Sequence, residues 1–259
     1  MTQSNLRSCS QNERSIKIVE EIEKNGYCHI NGVISAAVVN RLKARLNKLA
    51  SQDYYHGKVH KVMVLNPEED EIRMLCKEDT ILKNVGDYLG NSFRVSMIEG
   101  TCSVQESHKK INISDNFSSE TFLGWHRDGG ILNEHYDTNL NDKKLSIKCA
   151  VWLSEVKADG GNLVLLEQSH RDYHKQKEDF NLKVITAKPG DITLFDRRIL
   201  HTRTPNFLSK KRMAIFIEYS LKWIKRKQKI DFNLTDNEID IALFSNEQKG
   251  WELYKQDDY

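Results

Sequence analysis

The chain lacks most of what marks a membrane-spanning, secreted or nucleic-acid-binding protein. It has only three prolines, no low-complexity tract and no repeat period, which disfavours solenoids and long disordered linkers. No stretch approaches the roughly eighteen apolar residues that a membrane span requires. The polar segment Met1 to Arg14 has no apolar centre followed by a small-residue cleavage site, so it does not read as a secretory leader and the expected compartment is cytoplasmic. Five cysteines (Cys9, Cys28, Cys76, Cys102, Cys149) are odd in number, scattered and never spaced as a CxxC pair. That argues against a disulfide framework and a thiolate zinc site, and predicts reduced packing thiols. Charge of one sign is also scarce: Lys+Arg 39 against Asp+Glu 37 leaves a formal net charge of +2, without the basic excess that binding to phosphates demands. Nucleic acid is not an expected partner.

What the sequence does contain falls into two patterns. From Ser15 to about Leu89 it is mostly helical, and its clearest piece is Ile34 to Leu49, where Ser35 can cap and Val38, Val39, Leu42, Leu46 and Leu49 recur at three and four. Tyr27 to Ile30, between Gly26 and Gly32, reads as a short strand before that helix, and Pro67 with the acidic run Glu68 to Glu71 reads as a loop. After about Asn91 the period shifts to two. Phe93 to Ile98 alternates, as do Leu145, Ile147, Cys149, Val151 and Leu153 against Ser146, Lys148, Ala150, Trp152 and Ser154. Asp159-Gly160-Gly161 then predicts a hairpin into Leu163 to Leu166, and Lys188 to Asp191 a turn before Ile192 to Phe195. Met213, Ile215, Ile217 and Tyr219 mark a last strand with apolar residues on both faces. Short strands at this spacing suggest a jelly-roll sandwich. Beyond Trp223 the tail is polar, with a capping box at Thr235 and Glu238 to open one short helix.

The sharpest chemical feature is Gly124-Trp125-His126-Arg127-Asp128-Gly129-Gly130. Residues two apart on extended backbone point to one side, so His126 and Asp128 can grip one ion together. His201, just past the strand Ile192 to Phe195, supplies a third group where a jelly roll brings distant strands together. Two histidines and one carboxylate form the facial triad of non-haem Fe(II) oxygenases, whose open positions imply catalysis rather than a closed structural site. Eleven residues beyond His201, Arg212 enters the last strand and can aim its guanidinium into the barrel. A planar fork of donors suits a carboxylate, and 2-oxoglutarate is a cosubstrate that chelates iron at one end and presents a carboxylate at the other.

On these residues the chain resembles the phytanoyl-CoA dioxygenase family of Fe(II)/2-oxoglutarate-dependent oxygenases. The resemblance runs from Gly26-Tyr27-Cys28-His29-Ile30 through His126 and Asp128, Asp159 to His170 and Pro189-Gly190-Asp191, to His201, Asn206 and Arg212. It implies a mainly β fold with flanking helices and a double-stranded β-helix (jelly-roll) core. His126, Asp128 and His201 then bind Fe(II), Arg212 holds the far carboxylate of 2-oxoglutarate, and O2 is the oxidant. The implied activity is hydroxylation of an unactivated carbon in a small polar metabolite or natural-product intermediate, with release of succinate and CO2. Desaturation, cyclisation and epimerisation share this chemistry, and a non-catalytic jelly-roll binding protein is the reading from a different class. Asp128 favours oxygenation over halogenation, because related halogenases replace that carboxylate with a small residue. Trp152 resembles an aromatic lining the cosubstrate pocket. The chain departs from the family at Glu167-Gln168-Ser169-His170, where Pro-Gly-Ser-His is usual, and at Arg203, where a small hydroxyl residue is usual; Thr202 and Thr204 flank it.

The expected organisation is one domain over 1–259: a flexible 1–14, a mostly helical flank over 15–90, the jelly-roll core over 91–222, and a tail over 223–259 with a short helix. His56 with His60 and His170 with His174 are spaced for one helical face but lack a third partner, and read as solvated surface histidines. Lys222, Lys225, Arg226, Lys227 and Lys229 read as the solvated end of the last strand, with an anionic surface as the alternative. The long polar segment Ser103 to Glu120, with Lys109 and Lys110, has the length of a lid over a site, and the segment Gly129 to Lys144 carries no motif. Oligomeric state is not legible.

Overall fold

The structure is a computed structural model that describes residues 15–51, 59–106, 124–128, 143–230 and 237–245. A first helix, α1, covers 15–25. It leads into β1 (Tyr27–Ile30) and α2 (Ala36–Ala50). Ser35 has the extended backbone of a cap and accepts from the Val38 N–H, so the predicted start of α2 is where the chain places it. β2 (His60–Val64), α3 (Asp70–Cys76) and α4 (Asp79–Leu89) follow, then β3 (Phe93–Ser103) and β4 (Ser146–Trp152). The chain continues with β5 (Leu163–Leu166), β6 (Leu182–Val184), β7 (Ile192–Asp196), β8 (His201–Arg203) and β9 (Arg212–Leu221). The described part ends in α5 (Glu238–Phe244).

Two antiparallel sheets face each other: a six-stranded one in the order β1-β7-β4-β9-β3-β2 and a three-stranded one in the order β6-β5-β8. Alternation gives the large sheet two different faces. Ile147, Cys149, Val151, Ile192, Leu194, Met213, Ile215, Ile217 and Tyr219 point outward into one apolar cluster with Val39, Leu42 and Leu46 of α2 and with Ile81 and Val85 of α4. Each such side chain contributes on the order of 1.5–3 kcal/mol on burial. Gly100 lets α2 come close: a Cβ there would lie 2.2 Å from Leu46 Cδ2. The opposite face, with Ala150, Trp152, Phe195 and Ala214, packs against Leu163 and Leu165 of the small sheet. The site lies between the sheets.

The structure corrects several local expectations. Asp159 to Gly161 does not close a hairpin, because β4 pairs with β7 and β9 whereas β5 pairs with β6 and β8. Asp159 (φ 69) and Gly161 (φ 74) instead carry the chain from one sheet to the other. β2, unforeseen within the helical stretch, pairs with β3, so it and β1 extend the large sheet at its two ends. The acidic run is a loop only at its start: Asp70 and Glu71 form the first turn of α3, where negative charge meets the positive end of the helix. α5 is capped by Asn237, whose side chain accepts from the Asp240 N–H.

Cys28, Cys76, Cys102 and Cys149 are buried, and none forms a disulfide among the described residues. Among the described residues no helix is long and apolar enough to cross a membrane. Met1 to Arg14, His56, Lys109, Lys110 and Thr235 lie outside the described residues, as do most of the predicted lid and of the segment Gly129 to Lys144.

Candidate metal centre

His126 and His201 meet across an isolated antiparallel bridge: the His126 N–H donates to the His201 carbonyl at 3.0 Å, and the His201 N–H to the His126 carbonyl at 2.9 Å. Two residues on, the Asp128 N–H donates to the Arg197 carbonyl at 2.9 Å. Backbone pairing to the β7–β8 stretch thus brings the three groups together, and their ligand-capable atoms all lie within 4.8 Å of one another. His126 is exposed, whereas Asp128 and His201 are buried.

The imidazoles are also oriented. His126 Nδ1 is 3.2 Å from the Gly124 carbonyl and His201 Nδ1 is 3.0 Å from the Ile199 carbonyl. A carbonyl only accepts, so each ring carries its proton on Nδ1 and keeps the Nε2 lone pair for a metal. His201 Nε2 lies 3.6 Å from Asp128 Oδ2. Burial pushes the His201 imidazole down to about 4, against the opposing pull of Asp128, so the ring is neutral at pH 7. Burial alone would raise the Asp128 carboxyl, but Lys148, His201 and Lys227 outweigh it and hold the group well below the usual carboxylate range. Two imidazoles and one ionised carboxylate, with no fourth protein ligand in the cluster among the described residues, fit an open-sided first-row metal centre.

Arg212 lies between the sheets at the start of β9. It is 2% exposed, its Nη1 donates to Thr101 Oγ1 at 2.5 Å, and its guanidinium carbon is 5.1 Å from the Trp152 ring and 5.5 Å from the Phe216 ring. Trp152 is itself fixed by donating from Nε1 to Thr193 Oγ1 at 2.9 Å. Burial, reinforced by Arg203, pushes the Arg212 guanidinium down to about 9, which still leaves it charged at pH 7. Its Nε is buried with no hydrogen-bond partner among the described residues. A buried cation with an unused N–H has the chemistry to take an anion.

Sequence reasoning thus named the triad, Arg212 and Trp152, and the structure brings them into one interior. It missed Thr101. The hydroxyl beside Arg212 comes from β3, not from Thr202 or Thr204: Thr202 alternates away from the His201 face, and Thr204 Oγ1 accepts the Asn162 N–H at 2.8 Å. Arg203 shares the His201 face and is held in a two-pronged ion pair by Glu106.

Lys148 was also missed as a site residue, although it shares the inner face of β4 with Trp152; its Nζ donates to Asp128 Oδ1 at 2.9 Å. Two histidines read as solvated are not. His60 donates or accepts at Ser103 Oγ at 2.6 Å from a half-buried place on β2, and His170 is buried with Nε2 3.0 Å from the Glu23 carbonyl. The basic run is partly internal as well, since Arg226 donates to the carbonyls of Leu243, Phe244 and Ser245 at the end of α5 and Lys227 pairs with buried Glu218.

A double-stranded β-helix holding a His-x-Asp…His cluster, with a buried arginine between the same sheets, defines the class of jelly-roll enzymes built around a non-haem metal. Within that class the chain belongs to the phytanoyl-CoA dioxygenase family, whose sequence profile matches residues 22–214. Solved structures of the same fold include the non-haem α-ketoglutarate-dependent epimerase SnoN from nogalamycin biosynthesis, in complex with Fe3+, α-ketoglutarate and nogalamycin RO. It is 15% identical with a TM-score of 0.65, covering 88% of this chain and 93% of that one. HygX from Streptomyces hygroscopicus, with nickel, 2-oxoglutarate and hygromycin B bound, is 15% identical with a TM-score of 0.61 over 86% of this chain and 93% of its own. The carbocyclase SnoK is 14% identical with a TM-score of 0.61, covering 80% and 83%. No curated protein matches the chain by sequence.

Proposed function

We propose that this protein is an Fe(II)- and 2-oxoglutarate-dependent oxygenase that hydroxylates an unactivated carbon of a small polar metabolite or natural-product intermediate. The observation that carries the reading is one fold interior holding both a His126–Asp128–His201 cluster and a buried arginine with an unused N–H. Iron with 2-oxoglutarate and O2 would supply the oxidising power to break a C–H bond, the keto acid leaving as succinate and CO2. His126 and His201 would hold the metal through Nε2, each ring fixed by its own Nδ1–H bond to a backbone carbonyl. Arg212 would take the far carboxylate of the cosubstrate, with the Thr101 hydroxyl beside it and Trp152 stacked on the guanidinium. Phe195 lies edge-on to the His201 ring at 5.1 Å and Phe216 lies 5.5 Å from the Arg212 guanidinium, so each group has an aromatic neighbour.

An acidic ligand at position 128 supports oxygen transfer over halide transfer, since it fills the place a halide would take. Relatives of this fold named as an epimerase and a carbocyclase favour a second reading, in which the same oxidant leads to rearrangement instead of oxygen insertion. Product analysis separates the two. Iron-loaded protein supplied with 2-oxoglutarate, O2 and a panel of polar natural-product intermediates is expected to form succinate and a product that gains one oxygen atom from O2. Succinate with an isomerised or dehydrogenated product would move the assignment to the second reading, and absence of succinate across the panel and in uncoupled turnover would contradict both.

A further inference from the structure

We propose that Lys148 is a positioning residue for the metal centre, committing one oxygen of Asp128 to itself so that the other is presented toward the histidines; this rests on the reading of the triad as a metal site. Lys148 stands in the middle of β4, a strand buried along its whole length. A lysine in such a place costs several kcal/mol of desolvation unless it is paired. Two partners meet that cost. Nζ reaches Asp128 Oδ1 at 2.9 Å, and Glu218 lies directly opposite Lys148 in the β4–β9 register. Glu218 is itself 2% exposed and takes the Nζ of Lys227 at 2.8 Å. Burial alone would lower the Lys148 ammonium, but Asp128 and Glu218 outweigh it and raise it. The charges alternate from the centre outward, Asp128, Lys148, Glu218, Lys227, with Lys148 anchored by its ion pair to Asp128 and favoured by the negative charge of Glu218 on the neighbouring strand.

The geometry gives this row a job besides packing. The lysine takes Oδ1, and Oδ2 is the oxygen that faces His201 Nε2 at 3.6 Å. A carboxylate tied in this way offers a metal one oxygen in a set direction instead of two that rotate. Partners of metal ligands outside the coordination sphere typically change metal affinity about 10–100-fold when removed. Simple electrostatics predicts the opposite sign, because an ammonium beside a divalent cation repels it and its removal would tighten binding.

Anaerobic titration of the apoprotein with Fe(II) or Ni(II) decides between the two, with thermal unfolding of each variant recorded alongside. For Lys148→Met we expect about 10–100-fold weaker metal binding, for Glu218→Gln a smaller loss in the same direction, and for Lys148→Arg recovery of most of the affinity. Unchanged or tighter binding in Lys148→Met would overturn the proposal; should that variant not fold, unchanged or tighter binding in Glu218→Gln would do so. A folded wild-type protein that binds neither metal would overturn the metal reading itself, and is told apart from failure of the lysine's role by the wild-type titration alone.

Discussion

The two faces of the six-stranded sheet come from alternate residues of the same strands, yet they are chemically unlike. Ile147, Cys149, Val151, Ile215 and Ile217 on the outer face and Lys148, Trp152, Thr193, Arg212 and Glu218 on the inner face are all buried. Burial therefore does not tell the two apart. The outer face is hydrocarbon against hydrocarbon, where each residue adds stability and none needs a specific partner. On the inner face every charged group imposes a desolvation cost, met by a neighbour at Lys148 and Glu218 and left open at Arg212. The comparison teaches that one face holds the fold and the other gives up stability for chemistry.

Substitutions can break this division, and the largest effect is expected at the centre itself. His126→Ala or Asp128→Ala should weaken metal binding by more than the roughly 10–100-fold that changes outside the coordination sphere cause; the thermal midpoint should stay close to wild type in His126→Ala and fall in Asp128→Ala, which leaves buried Lys148 without its ion pair, and equal metal affinity in either variant would remove that residue from the site. On the outer face Ile217→Ala should do the reverse, lowering unfolding free energy by about 2–5 kcal/mol in chemical denaturation and leaving the metal affinity of the folded protein unchanged. Arg212→Met should weaken 2-oxoglutarate binding to the metal-loaded protein about 10–100-fold, the worth of a charge-assisted pair, with metal affinity retained.

The smallest expected effect concerns pH. Burial, aided by Arg203 and Arg212, pushes His60 down to about 3 from an ordinary 6.5. A depressed folded-state value means that the unfolded chain takes up a proton first, so stability is full above about 6.5 and is lost progressively as pH falls toward 3. His201, pushed down to about 4, acts in the same direction. His60→Gln should reduce the slope of stability against pH in this window by up to one proton, measured by denaturant unfolding at stepped pH; an unaltered slope would place His60 in contact with solvent.

Much of the outer face was legible in the sequence because its signals are local. The cap at Ser35, the apolar spacing of α2 and the strand Tyr27–Ile30 need only neighbours in the chain. The triad was legible because His126 and Asp128 sit at strand spacing and because the chain resembles a known family at His201 and Arg212. What escaped was set by pairing across long distances. Asp159-Gly160-Gly161 announces a turn but not which sheet the next strand joins. Alternation put Lys148 on the face of Trp152, yet nothing local said that Asp128 would arrive there, or that Thr101 of β3 would supply the hydroxyl for Arg212. His170 resembled a surface residue until the Glu23 carbonyl came to meet it.

The most direct test of the central claim, that the inner face holds an iron centre with a carboxylate-binding arginine beyond it, is an anaerobic titration of apoprotein with Fe(II) followed by 2-oxoglutarate. A keto acid chelated to ferrous iron gives a visible charge-transfer band. The band should rise to saturation in the wild-type protein and be lost in His126→Ala and His201→Ala. A well-folded wild-type protein that takes up neither iron nor 2-oxoglutarate, and shows no band, would contradict it and leave a jelly roll without this chemistry.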